Sequence, residues 1–142
     1  MNKKGFTLVE LLGVIVLLAI VIVIAVPSVA GINGLIKDNM REKKVEIIEE
    51  AAILLGQDVK GSIMASDKKY NGYACKSITI SELVPNYLDR DTESSCLNNG
   101  GTGCIIDPAD SNNYLDLTEI IIYYKNKRIH AVVDLKEELT CS

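Results

Sequence analysis

Lys3-Lys4-Gly5-Phe6-Thr7-Leu8-Val9-Glu10 opens the chain and runs straight into an aliphatic segment with no further charge until Lys37. Two cations, a glycine and the only Phe precede a single carboxylate. That order separates an apolar stem from a polar remainder, and the separation decides the fold. As a helix, residues 11 to 36 would extend roughly 39 Å at about 1.5 Å per residue. The hydrocarbon core of a bilayer is about 30 Å thick, so a tilted crossing is predicted. Lys3 and Lys4 place the N-terminus in the cytoplasm. Lys37, Arg41, Lys43 and Lys44 on the other flank temper that asymmetry, although Asp38, Glu42 and Glu46 interleave with them. The run is too long for an ordinary secretory signal, and Val26-Pro27-Ser28-Val29-Ala30 lacks a clean small-residue cleavage site.

The 142 residues suit one domain plus an appendage. Most of the 48% hydrophobic content lies before residue 37. With no Trp and one Phe, the core of the head must rest on Ile, Val, Leu and Tyr. A head of about 75 residues is near the lower limit for a self-sufficient core, so disulfides or the stem helix should assist it. The net charge is −4, and loss of Lys3 and Lys4 with a leader would make it two units more negative. An acidic chain is a poor nucleic-acid binder. Its one basic run, Lys125-Asn126-Lys127-Arg128, reads as a solvated hairpin tip. The low aromatic content offers no evident stacking platform.

Glu10 requires a reason. An acid inside the bilayer costs about 2.5–3.5 kcal/mol on insertion scales. It can lie near the surface and benefit from the helix dipole. Alternatively it awaits a cation. A cut after Gly5 would give Phe6 a free α-amine, and a neighbouring subunit would offer the same group to Glu10. Such a pair in a low-dielectric bundle would fix the stagger of adjacent stems.

Gly5-Phe6-Thr7-Leu8-Val9-Glu10-Leu11-Leu12, after the short basic leader Met1-Asn2-Lys3-Lys4, resembles the leader junction of type IV prepilins and pseudopilins. Pro27 in mid-stem fits the same family. The resemblance implies cleavage between Gly5 and Phe6 by a membrane aspartyl prepilin peptidase. It also implies N-methylation of Phe6, an assembly role for Glu10 with the Phe6 amine, and a helix kink at Pro27. Proline removes one helical N–H and clashes with the preceding turn. Gly31 and Gly34 weaken the same section.

Beyond residue 35 the apolar positions Val45, Ile48, Ala52, Leu55, Val59 and Ile63 recur every three or four residues, predicting an amphipathic helix. Met40, Ile47, Ala51 and Leu54 are expected to widen its stripe under a sheet. Gly56 and Gly61 weaken its end, which falls around residues 65 to 69. Asn71-Gly72 predicts a turn. Thr79-Ile80-Ser81-Glu82 has capping-box spacing and should start a short helix that Pro85 helps to end. Residues 89 to 114, rich in Asp, Asn, Ser and Gly, read as a long loop. A C-terminal hairpin turning at Asn126-Lys127 would align Ile120, Ile122 and Tyr124 with Ile129, Ala131, Val133 and Leu135. His130 then falls on the solvent face with Arg128 and Asp134.

Cys75, Cys96, Cys104 and Cys141 all lie in the head, without a C-x-x-C spacing that would suggest zinc. Four cysteines allow three pairings. Cys96–Cys104 would pin the Asn98-Asn99-Gly100-Gly101 loop and Cys75–Cys141 would tie down the C-terminus; export without an oxidant would leave the thiols reduced. Asp107, Asp110, Asn112 and Asp116 form an oxygen-rich loop suited to calcium, and the family resemblance adds a comparable calcium-binding loop in major pseudopilins. The EF-hand glycine and spacing are absent, so self-solvation of the loop is the competing reading, and no cofactor is expected. One His and scattered acids assemble no nucleophile, base and orienter, so no enzyme is predicted.

The resulting expectation is an α+β, pilin-like chain, with a long N-terminal helix packed on a small antiparallel sheet. Residues 1–5 form a leader and residues 6–36 a transmembrane, filament-core helix. Residues 37–66 form its amphipathic continuation and residues 67–142 the head with its C-terminal hairpin. The resemblance implies a subunit of a type IV pilus-like filament serving adhesion, motility, DNA uptake or type II-like secretion. Its partners would be other pilin subunits, the prepilin peptidase, an assembly ATPase and a platform protein. The precursor would sit in the cytoplasmic membrane and the assembled subunit at the cell surface. The competing expectation is a single-pass membrane protein whose head binds a ligand or partner without polymerising.

Overall fold

The side chain of Thr7 starts the first helix by accepting the backbone N–H of Glu10 at 3.3 Å. The computed structural model describes residues 7–91, 96 and 102–142, with residues 25–31 described by their backbone alone. Gly5, Phe6 and residues 98–101 lie outside the described residues. Helix α1 (Leu8–Asp58) continues through Pro27. Chain contacts divide the protein into two units, Met1–Asp38 and Asn39–Ser142.

In the first unit every described side chain of the helix is exposed. Among the described residues its aliphatic side chains build a helix without entering a core. In the second unit α1 is amphipathic, and Ile48, Ala51 and Ala52 are buried with Val45, Ile53 and Leu55 packed beside them. The stripe is narrower than the sequence suggested, because Met40, Ile47 and Leu54 remain about half exposed. The predicted single helix is also interrupted at Val59, with α2 (Lys60–Met64) following. Gly56 marks a close approach of α1 to the sheet: a Cβ there would lie 2.6 Å from Ile129 Cγ2 and 2.7 Å from Ile122 Cγ2. That glycine serves close packing rather than helix weakness.

Strands β1 (Lys69–Tyr70), β2 (Tyr73–Thr79), β5 (Glu119–Lys125) and β6 (Arg128–Asp134) form an antiparallel sheet in the order β1-β2-β5-β6. Both tight turns use positive φ at two successive residues, Asn71-Gly72 and Asn126-Lys127. Such turns match the right-handed twist of the strands they join. The register pairs Ile120 with Val133, Ile122 with Ala131 and Tyr124 with Ile129, which puts one apolar row toward the helix. Leu135 lies past the end of β6 and is 37% exposed, so it drops out of the predicted row. The outer edge of β6 is covered at one point, where Val133 N–H donates to Glu49 Oε1 of α1 at 3.1 Å.

Between β2 and β5, Thr79 and Glu82 close the predicted capping box on a single 3-10 turn (Ile80–Leu83), and the Val84–Pro85 bond after it is cis. The predicted loop over residues 89 to 114 contains a second, two-stranded sheet, β3 (Ile106–Asp107) with β4 (Asp110–Tyr114). Polar composition concealed it: β4 is exposed along its whole length, so no apolar alternation marks it. Disulfides join Cys75 to Cys141 and Cys96 to Cys104.

Candidate functional site

Three sets of residues carry the functional argument, and the first is the start of the stem. Thr7 N–H and Thr7 Oγ1–H both donate to Glu10 Oε2 at 3.0 Å, while Glu10 N–H donates back to Thr7 Oγ1. This is a reciprocal capping box at the first turn of α1. Among the described residues Glu10 Oε1 accepts no hydrogen bond, so the carboxylate retains half its acceptor capacity. Thr7 was missed by the sequence reading, although Thr7-Leu8-Val9-Glu10 repeats the Thr-x-x-Glu spacing recognised at Thr79. From Glu10 the helix presents Leu11, Leu12, Val14, Ile15, Val16 and Leu17 to the outside, each between 46% and 65% exposed. The crossing expected over residues 6–36 is not found among the described residues, where no helix is long and apolar enough to span a membrane.

Residues 1–26 match the prokaryotic N-terminal methylation motif. This motif is the signature of type IV prepilins and pseudopilins. It takes in Gly5, Phe6, the Thr7–Glu10 box and the first aliphatic turns of the helix, and it stops one residue before Pro27. Neither the curated proteins nor the solved structures compared with the chain yield a match. The head is therefore read from its own geometry.

The oxygen-rich loop is the second set, and its acids are turned to structural use. Asp116 is buried and accepts the backbone N–H groups of Gly103 and Cys104 on Oδ2 and of Ile105 on Oδ1, at 2.9–3.1 Å. Asp107 Oδ2 pairs with Arg41 Nη2 at 2.8 Å and its Oδ1 accepts Ala109 N–H. Asp110 accepts from Asn112 N–H and Asn113 Nδ2. Asp91, paired with Lys44, also accepts Ile106 N–H. Three of the four calcium candidates, Asp107, Asp110 and Asp116, thus spend oxygens on separate backbone and side-chain donors, and Asn112 takes part through its backbone N–H. Among the described residues no group of three or more His, Cys, Asp or Glu side chains is placed to hold a metal ion. Arg41 and Lys44, one helical turn apart, clamp this loop to α1.

The outer face of the hairpin is the third set. The register places Glu119 with Asp134, Ile121 with Val132, Tyr123 with His130 and Lys125 with Arg128 on one side of the sheet. His130 shares this face with Arg128 and Asp134, but it is stacked on Tyr123, with ring centroids 5.3 Å apart, rather than standing free in solvent. Tyr70 and Tyr73 also approach Tyr123, so four rings gather where composition suggested no platform. They lie against one another, with Lys125 over Tyr73; on the helix-facing side Lys60 lies over Tyr124.

Asp134 is buried rather than solvent-facing. Burial raises its carboxyl, but the backbone N–H groups of Leu139, Glu138, Lys136 and Glu137 outweigh that and hold it below the ordinary aspartate range.

Proposed function

We propose that the chain is a structural subunit, a pilin or pseudopilin, of a type IV pilus-like filament. The observation that carries this reading is the methylation motif leading into an apolar helix whose described side chains in the first unit are exposed. A helix that is aliphatic on all sides belongs in lipid or in a bundle of like helices. The charge-free run of residues 11 to 36 is long enough for both in succession. Prepilin peptidase cuts between Gly5 and Phe6, Phe6 is N-methylated, and the stem leaves the membrane for the filament core. Glu10 Oε2 holds the helix cap while Oε1 takes the Phe6 ammonium of a neighbouring subunit. Met40, Ile47 and Leu54, spaced two helical turns apart and each about half exposed, extend the lateral contact along α1. A pilin-like head then covers the outside of the filament.

The capping box supports a second reading, because it gives Glu10 a local task that needs no other subunit. In that reading the protein is a membrane-anchored binding module that does not polymerise. Intact-mass and N-terminal peptide mass spectrometry on protein from its native envelope separates the two. A chain starting at methylated Phe6 supports the filament subunit. A chain retaining residues 1–5 in peptidase-positive cells overturns it.

A further inference from the structure

The β5–β6 hairpin carries opposite charges at its two ends. At the open end Glu119 lies directly opposite Asp134, and at the turn Lys125 lies directly opposite Arg128, with Lys127 between them. Like charges facing each other across two strands are locally unfavourable. At the acidic end the buried Asp134 is held by backbone N–H groups, and Glu119 Oε2 accepts Ser77 Oγ–H at 3.1 Å. This leaves Glu119 and Glu137 as exposed carboxylates there. Seven-residue strands at about 3.4 Å per residue set the two ends roughly 20 Å apart. Among the described residues no carboxylate lies within ion-pair distance of Lys125, Lys127 or Arg128.

The acidic end is also concave. Tyr114, Leu117, Glu119, Asp134, Leu135 and Glu137 line a groove of about 550 Å³. Its apolar wall is open to solvent, with Leu117 82% exposed. Asp134 shapes the opposite wall by accepting Lys136 N–H and Glu138 N–H on Oδ1 and Leu139 N–H on Oδ2. An apolar wall beside carboxylates suits lysine and arginine side chains, whose methylene stems pack on apolar surface while their charged ends reach acids.

We propose that the groove binds the Lys125-to-Arg128 turn of a second copy of this chain. The charges on the two ends are complementary, and every copy carries one of each. When the groove of one copy takes the turn of a second and the groove of that second copy takes the turn of a third, the contact is heterologous and propagates from copy to copy. The inference rests on the filament reading above. Reversed pairing of two hairpins about a two-fold axis would instead satisfy both ends at once and close on a dimer.

Leu117→Cys and Lys127→Cys in the same full-length chain, oxidised in intact cells, test the contact. The expected result is a ladder of dimers, trimers and larger species, absent from either single variant. On this background Arg128→Glu should lower the cross-linked fraction at least fivefold, and adding Glu137→Lys should restore it to within twofold. Products that stop at dimers overturn the head-to-tail contact. So does a missing ladder in cells that still form Glu10-dependent, sedimentable assemblies, and that result leaves the filament reading standing. Absence of any assembled material overturns the filament reading and this contact with it.

Discussion

Thr7 and Glu10 hold each other at the first turn of α1, each accepting the other's backbone N–H. The arrangement divides the work of one carboxylate between a local cap and a charge presented outward. Substitution separates the two. Glu10→Gln keeps an acceptor for Thr7 N–H but loses the charge, whereas Glu10→Ala loses both. Both variants should be cut after Gly5, and both should fall at least tenfold in filament incorporation, measured in sheared surface fractions. Thr7→Ala removes the hydroxyl cap at a cost of about 0.5–2 kcal/mol and should incorporate nearly normally. Normal incorporation of Glu10→Gln would assign the residue to capping alone.

Gly5 carries the processing prediction. Gly5→Leu puts a branched side chain immediately before the proposed cut. The full-length precursor should then accumulate in the membrane fraction, read as a single slower band and as an intact N-terminus by mass spectrometry. A mature N-terminus at Phe6 in that variant would refute the assignment.

Gly56 reports on the packing of α1 against the sheet. Alanine there gains up to about 1 kcal/mol of helix propensity. Its methyl must displace Ile122 and Ile129, whose Cγ2 atoms sit 2.7 and 2.6 Å from the new position. Overpacking of this kind costs about 1–3 kcal/mol. Net destabilisation of about 1–2 kcal/mol is expected from urea unfolding of the full chain in mild detergent.

The disulfides should contribute unequally. Cys75–Cys141 closes a separation of 66 residues and Cys96–Cys104 one of 8. Chain entropy assigns about 4 kcal/mol to the first and about 2.5 kcal/mol to the second. Paired Cys→Ser variants, compared by the same unfolding measurement, should preserve that order.

Asp134 gives acid unfolding a definite sign. A carboxyl held below its unfolded value binds its proton less readily when folded, so it stabilises the head at neutral pH. That contribution is complete above an unfolded value of about 3.9 and is lost as the pH falls from there through the lower folded value. Asp134→Asn should be less stable than wild type at pH 7, and the gap should close below about pH 4. Urea midpoints across that range provide the check.

What the chain itself determined is local or periodic. The stem follows from an uninterrupted aliphatic run, the amphipathic half of α1 from spacings of three and four, and the hairpin turns from Asn71-Gly72 and Asn126-Lys127. These signals need only neighbouring residues, so one sequence displays them. The tertiary structure decided what depends on distant partners. It made Asp116 and Asp107 anchors for loop backbone and Arg41, gave Glu49 the edge of β6, and made Gly56 a packing position. It also broke the helix at Val59 and drew β3 and β4 from a polar stretch without alternation. A carboxylate's role is set by the donors that folding brings within about 3 Å, and those donors lie up to 84 residues away along the chain.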